Sequence, residues 1–287
     1  MTKVHFAGSD NAPPRITALK AAGVQYRLFT CYPFVAGKKQ GDDMRVSGLH
    51  ETRPGLYRHV IMDSGLFTLM FGAQSGAVQD EATIAAWQDR IIEFVTANDV
   101  HASIVECDCQ KIVSPEYAWE LRTDLRARLP DREIINVFHL EDGKGGFERL
   151  AEFSDYLAIS VPELRIAQPR KYRQTVSALT RMAKRIKPGI KIHLLGCTEL
   201  GLLRQNDFCD SADSSSWLSP LRYGYLKSNH IKNLRKDVAS ERMELCGSVA
   251  LGLGFDLSDK AVADASKASV CASYSKQQYE RAAGKQD

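Results

Sequence analysis

Short runs rich in β-branched and aromatic residues recur along this chain, separated by stretches with apolar residues three and four positions apart. That alternation is the pattern of parallel strands joined by crossover helices. Eight such runs occur, at residues 4–7, 25–29, 59–62, 103–107, 134–138, 156–161, 191–195 and 208–212. The clearest helical stretches between them are 80–98, 115–129, 146–153 and 169–186. Eight strand and helix alternations predict a single (β/α)8 barrel, whose chemistry sits on the loops that follow the C-terminal ends of the strands. The barrel is expected over residues 1–240. Residues 241–287 then form a helical extension packed on it, with the polar tail from Ser275 to Asp287 frayed. The irregular stretch between Tyr26 and Pro54, with Gly37-Lys38-Lys39-Gln40-Gly41, predicts a long loop instead of a tidy second helix.

With 44% apolar and 25% charged residues in 287, the chain has a globular composition, and disordered, collagenous and low-complexity classes are excluded. No apolar run approaches the roughly 20 residues a bilayer requires. No apolar signal region follows Met1, so a cytoplasmic protein with no membrane partner is expected. Seven cysteines in such a chain are expected to be reduced thiols. Only Cys107 and Cys109 lie close together, whereas a structural zinc site normally shows two close ligand pairs, so neither metal nor cofactor is predicted.

The net charge of +3 hides an asymmetry. Residues 164–236 carry fifteen Lys and Arg against four acids, a net of +11, which leaves −8 for the remainder. A concentrated basic region is the electrostatic footprint of a nucleic-acid partner, although solvated helix faces are also often basic. From Ser214 to Lys236 there is no acid at all. There Arg222, Lys227, Lys232, Arg235 and Lys236 are interleaved with Trp217, Tyr223, Tyr225 and His230, rings able to stack on bases or ribose.

The residues at the predicted strand ends are Asp63-Ser64-Gly65, Asp108, His139, Pro162-Glu163, Gly196 and Asp213. Any one acid there could cap the following helix. Clustered on one rim, carboxylates can instead serve as nucleophile and general acid/base at a sugar anomeric carbon.

Val60-Ile61-Met62-Asp63-Ser64-Gly65-Leu66-Phe67 resembles the Asp-Ser-Gly-Gly-Phe signature of tRNA-guanine transglycosylases, (β/α)8 enzymes that exchange guanine for a 7-deazaguanine. Glu106-Cys107-Asp108, Ile159-Ser160-Val161-Pro162-Glu163 and His193-Leu194-Leu195-Gly196 are similar to further family segments in the same order. Asp213, in Asp210-Ser211-Ala212-Asp213-Ser214-Ser215-Ser216-Trp217, stands where the family has its nucleophile. The likeness spans roughly residues 59–217.

The chain also departs from the family. Leu66 replaces the second glycine, His139-Leu140 replaces a Gln-Gly, no Pro-Thr-Arg follows Asp213, and only Cys246 and Cys271 remain where the family has a zinc motif. The lost zinc subdomain looks like the phage-encoded branch that modifies DNA. This resemblance implies a DNA substrate and a free 7-deazaguanine base, such as 7-cyano-7-deazaguanine, as co-substrate. The alternatives are tRNA as substrate or a non-catalytic nucleic-acid-binding paralogue, and a homodimer is possible.

The same resemblance implies Asp213 as nucleophile, with Asp210 in its place if the strand register shifts, and Asp63 as general acid/base. Ser64, Phe67, Asp108, His139, Ser160, Val161, Leu195 and Gly196 would line the base pocket. Trp217, Arg222, Tyr223, Lys227, Lys232, Arg235 and Lys236 would hold the nucleic acid.

Overall fold

The computed structural model describes residues 2–8, 13–36, 55–66, 80–197, 199–219 and 260–282. Eight parallel strands close into one barrel in sequence order: β1 (Lys3–Phe6), β2 (Tyr26–Thr30), β3 (His59–Asp63), β4 (Ser103–Val105), β5 (Ile134–Phe138), β6 (Tyr156–Ser160), β7 (Lys191–Leu195) and β8 (Ser211–Ser214). Around them lie α1 (Pro13–Ala21), α2 (Tyr32–Val35), α3 (Glu81–Ala97), α4 (Pro115–Arg128), α5 (Gly143–Phe153), α6 (Val161–Ala167), α7 (Tyr172–Ile186), α8 (Leu200–Gln205) and α9 (Lys260–Ala282). The predicted (β/α)8 barrel is the observed fold. No helix among the described residues is long and apolar enough to cross a membrane.

Local chemistry sets the helix starts. Asp80 accepts the Thr83 N–H at 2.8 Å to open α3, and Ser114 accepts the Tyr117 N–H at 3.1 Å to open α4, with Pro115 in the first turn. Each such cap contributes about 1 kcal/mol. The strands alternate in two directions. Val4, Phe6, Ile104, Phe138, Leu157, Ile159, Ile192, Leu194 and Ala212 belong to the apolar layers between barrel and helices. Ala7, Leu28, Ile61, Val105, Val137 and Ala158 fill the lumen.

Three expectations are corrected. The eighth strand begins at Ser211, three residues later than predicted, because Asn206 and Cys209 close a turn in which Phe208 is exposed. Asp213 therefore lies within the strand instead of following it. Trp217 is fully buried in a short 3-10 turn, donates its indole N–H to the Ala7 carbonyl at 2.8 Å and packs on Phe6, so it is core and no stacking platform. The tail expected to fray from Ser275 is helical through Ala282. There α9 packs along α1, Lys276 reaches the Ala22 carbonyl, and the buried Tyr279 hydroxyl meets Ser216 Oγ at 2.8 Å.

Candidate active site

Asp213 points into the lumen from β8, one strand repeat above Ser211. Its Oδ1 accepts the Gly196 N–H at 2.6 Å and the Nε2–H of His193, a fully buried β7 residue, at 3.2 Å. Oδ2 has no hydrogen-bond partner among the described residues. Gly196 reaches this position with φ +62°, and a side chain there would place Cβ 2.7 Å from Pro162 Cγ. Only glycine meets both demands.

Asp63 ends β3 on the inward face set by His59 and Ile61. Carrying the strand pairing from Ala212 through Leu194, Ile159 and Phe138 leads to residue 108 on the fourth strand and 66 on the third, whereas carrying it through Val4 leads to 58. This displacement of eight is the shear of such barrels. Spread evenly over the strands, it puts Asp63 within about one residue of the height of Asp213. Asp108 and His139 stand about three residues nearer the mouth on the same reckoning.

Behind Asp63, the Ser64 carbonyl accepts the Trp87 indole N–H at 3.0 Å and the Cys31 thiol at 3.2 Å, and the Ser64 side chain is buried. Ser64 thus anchors the turn in the wall. Gly65, at φ +72°, passes so close to Tyr32 that a Cβ would lie 2.7 Å from the Tyr32 Cβ and 3.0 Å from its backbone nitrogen.

The mouth carries a charged cluster. His139 holds Asp108 Oδ2 through Nε2 at 2.9 Å and Glu163 Oε2 through Nδ1 at 2.8 Å, and Lys111 Nζ lies 2.7 Å from Glu163 Oε1. Burial opposes a charge on His139, but hydrogen bonds to Asp108 and Glu163 overcome it and raise its pKa to about 10. Burial also opposes ionisation of Glu163, and His139 and Lys111 overcome it, lowering its pKa to about 2. His139 is therefore an imidazolium that orients Asp108.

Below Asp108, the buried Glu106 carboxylate takes Arg122 in a forked pair, with Nη2 at 2.6 Å from Oε1 and Nε at 2.8 Å from Oε2, and accepts the Val137 N–H at 2.8 Å. That pair locks the turn after β4 to β5. Ligand atoms of His139, Glu141 and Glu163 lie within 4.8 Å of one another, the spacing of a cation site. Both His139 nitrogens and both Glu163 oxygens are already engaged, so a metal there would have to displace the salt bridges.

The remaining sequence candidates divide. Ser160, at the end of β6, and Leu195, at the end of β7, are half-buried, and Leu195 packs against the lumen cluster. Val161 is buried in the outer core at the start of α6, so its side chain is no pocket wall. Asp210 sits below β8, at the opposite end of the barrel from the mouth, where it accepts the Ile192 N–H at 2.9 Å and pairs with Lys184 at 3.4 Å. The register that would have exchanged it for Asp213 is not the one observed. Phe67, Arg222, Tyr223, Lys227, Lys232, Arg235 and Lys236 lie outside the described residues. Within the basic region that is described, Lys184, Lys187 and Arg173 are paired with Asp210, Asp155 and Glu199.

Sequence reasoning missed the polar lower lumen. His5 accepts at Nε2 from His59 Nδ1 at 2.8 Å, and its Nδ1–H reaches the Ala212 carbonyl at 3.3 Å. Burial, with the His59 and His193 rings beside it, holds its pKa well below the usual histidine range. His59 meets Ser103 at 2.8 Å, and Ser103 and Lys191 both bond Glu133. Cys31, Cys107, Cys109, Cys197 and Cys209 are buried thiols outside any disulfide; burial raises Cys197 and Cys109 to about 12, so these thiols are packing groups and poor nucleophiles.

The fold and site together define a (β/α)8 protein with two lumen carboxylates under a charged rim. No family model and no curated protein matches the sequence.

Proposed function

We propose that the protein is a transglycosylase that exchanges guanine in DNA for a 7-deazaguanine base. One observation carries this reading: Asp213 stands in the lumen with Oδ1 held by two donors, Oδ2 without a protein partner among the described residues, and Asp63 on the inward face of β3 within about one residue of the same height. That arrangement suits one carboxylate as nucleophile and a second as proton carrier.

In the proposed reaction, an electron pair of Asp213 Oδ2 forms a bond to the deoxyribose anomeric carbon. The bond to guanine N9 breaks, its electron pair stays on the base, and Asp63 supplies the proton. The incoming 7-deazaguanine gives its N9 proton back to Asp63, attacks the same carbon and releases the Asp213 carboxylate. Asp108, turned by His139, accepts from the amine and ring N–H of the guanine-like edge. The target nucleotide must leave the stack to bring its anomeric carbon into the lumen.

The resemblance to a family branch without a zinc subdomain favours DNA over tRNA. The test is mass spectrometry of nucleosides digested from DNA and, in parallel, tRNA after incubation with the protein and 7-cyano-7-deazaguanine. A deazaguanine deoxynucleoside is expected. Product in tRNA alone would move the substrate to tRNA, and product in neither would overturn the reading.

A further inference from the structure

Behind Asp213 the lumen holds a chain of buried polar groups. The Tyr156 hydroxyl meets Ser211 Oγ, Ser211 Oγ meets His193 Nδ1 at 2.6 Å, and His193 Nε2 meets Asp213 Oδ1 at 3.2 Å. Tyr156, Ser211 and His193 are each at most 2% exposed, so water has little access to correct a misplaced proton.

Their proton count has a simple solution. A carboxylate only accepts, so His193 must donate through Nε2. A neutral ring then needs a donor at Nδ1, which Ser211 supplies. Ser211 has one proton, so its oxygen must accept from Tyr156, whose phenol is kept protonated by burial. Every group is satisfied with one proton each, all pointing towards Asp213.

We propose that Tyr156, Ser211 and His193 are a positioning relay that fixes His193 as its Nε2–H tautomer and so holds the Asp213 carboxylate with Oδ2 directed to the sugar. The catalytic part of this proposal rests on Asp213 being the nucleophile; the tautomer does not. Without Ser211, Nδ1 can take the ring proton, and a lone pair then faces Asp213. A wrong histidine tautomer next to an otherwise intact site has cost as much as ~10⁴ in kcat in a serine protease.

The experiment uses the full-length protein with 15N-labelled histidine. His193 signals are assigned by their loss in His193→Gln. The wild type is expected to show a protonated Nε2 and a bare, hydrogen-bonded Nδ1, with that pattern lost in Ser211→Ala and kept in Ser211→Thr. In the exchange assay, Ser211→Ala is expected to lower kcat by about 10²-fold or more, within that limit, and leave KM for the nucleic acid unchanged. Ser211→Thr should restore most of it, and Tyr156→Phe, one group more remote, should lose less. A wild-type His193 protonated at Nδ1 overturns the relay, whatever the activity. So does a Ser211→Ala enzyme with unchanged kcat. If the wild type exchanges no base, the nucleic-acid reading fails while the nitrogen spectrum still decides the relay. If Ser211→Ala does not fold, the wild-type spectrum and the Thr variant decide it.

Discussion

His139 Nε2 lies 2.9 Å from Asp108 Oδ2 while its Nδ1 lies 2.8 Å from Glu163, so one imidazolium ties two carboxylates across the mouths of β4, β5 and β6. Because this site is mostly shielded, its protonation is coupled to folding. His139 is raised from 6.5 to about 10, so its contribution to stability is complete below pH ~6.5, declines as pH rises and is gone above ~10. The limiting slope for one proton is about 1.4 kcal/mol per pH unit. Glu163 is lowered from 4.5 to about 2, so its contribution is complete above ~4.5 and is lost as pH falls through ~2. Denaturant unfolding of wild type and His139→Gln should therefore differ most between pH 4.5 and 6.5, with the gap narrowing towards pH 9.5. A gap independent of pH would contradict the charged assignment.

The Glu106–Arg122 pair is predicted to behave as a buried ion pair. Arg122→Ala should cost about 3–5 kcal/mol, because Glu106 is left as an uncompensated buried charge. Replacing both, as in Glu106→Gln with Arg122→Met, should recover part of that loss. A double-mutant cycle by chemical denaturation measures the coupling.

Gly196 offers a separate test of the nucleophile's support. Gly196→Ala meets both an unfavourable φ and the Pro162 ring, so its N–H should move away from Asp213. Loss of one such aligned donor is worth about 10²–10³ in kcat in a comparable oxyanion setting. The prediction is a comparable fall in kcat with the folded state retained, checked by kinetics beside thermal unfolding.

Asp210 and Asp213 should behave differently although they are three residues apart on one segment. Asp210→Asn loses a Lys184 contact at the far end of the barrel and should keep exchange activity, with a stability change below about 1 kcal/mol. Asp213→Asn should keep the fold and lose exchange. Parallel kinetics and unfolding curves of the two variants check this.

The sequence made the barrel readable where strands carried runs of β-branched and apolar residues on at least one buried face. The runs at 134–138 and 191–195 match β5 and β7 end for end, because Ile134 to Phe138 and Ile192 to Leu195 supply the β-branched and apolar side chains a buried parallel strand needs. The eighth strand was placed early because Phe208 and Cys209 read as strand, whereas Cys209 is buried from a turn. Alternating polar residues normally mark a solvent face, yet His5, His59, His193 and Ser211 alternate towards a closed lumen. That is why the relay behind Asp213 had no signal in local pattern. Trp217 was misread for a related reason: its partners, Phe6 and the Ala7 carbonyl, come from the end of β1 at the other end of the sequence, and only closure of the barrel brings them beside it. Asp63, Asp108 and His139 were legible as residues at or just beyond strand ends, and Asp213 as a candidate expected just beyond a strand that instead contains it, but the His139 bridge depends on Glu163 two strands from Asp108, which only the closed barrel brings together.

The most direct test of the central claim is the mass of the complex formed with a guanine-containing oligonucleotide when no incoming base is supplied, followed by peptide mapping under denaturing conditions. The account predicts a species with the mass of protein plus oligonucleotide less one guanine, its ester mapped to Asp213, and no such species with Asp213→Asn. An adduct on another residue, or one that survives Asp213→Asn, would contradict it.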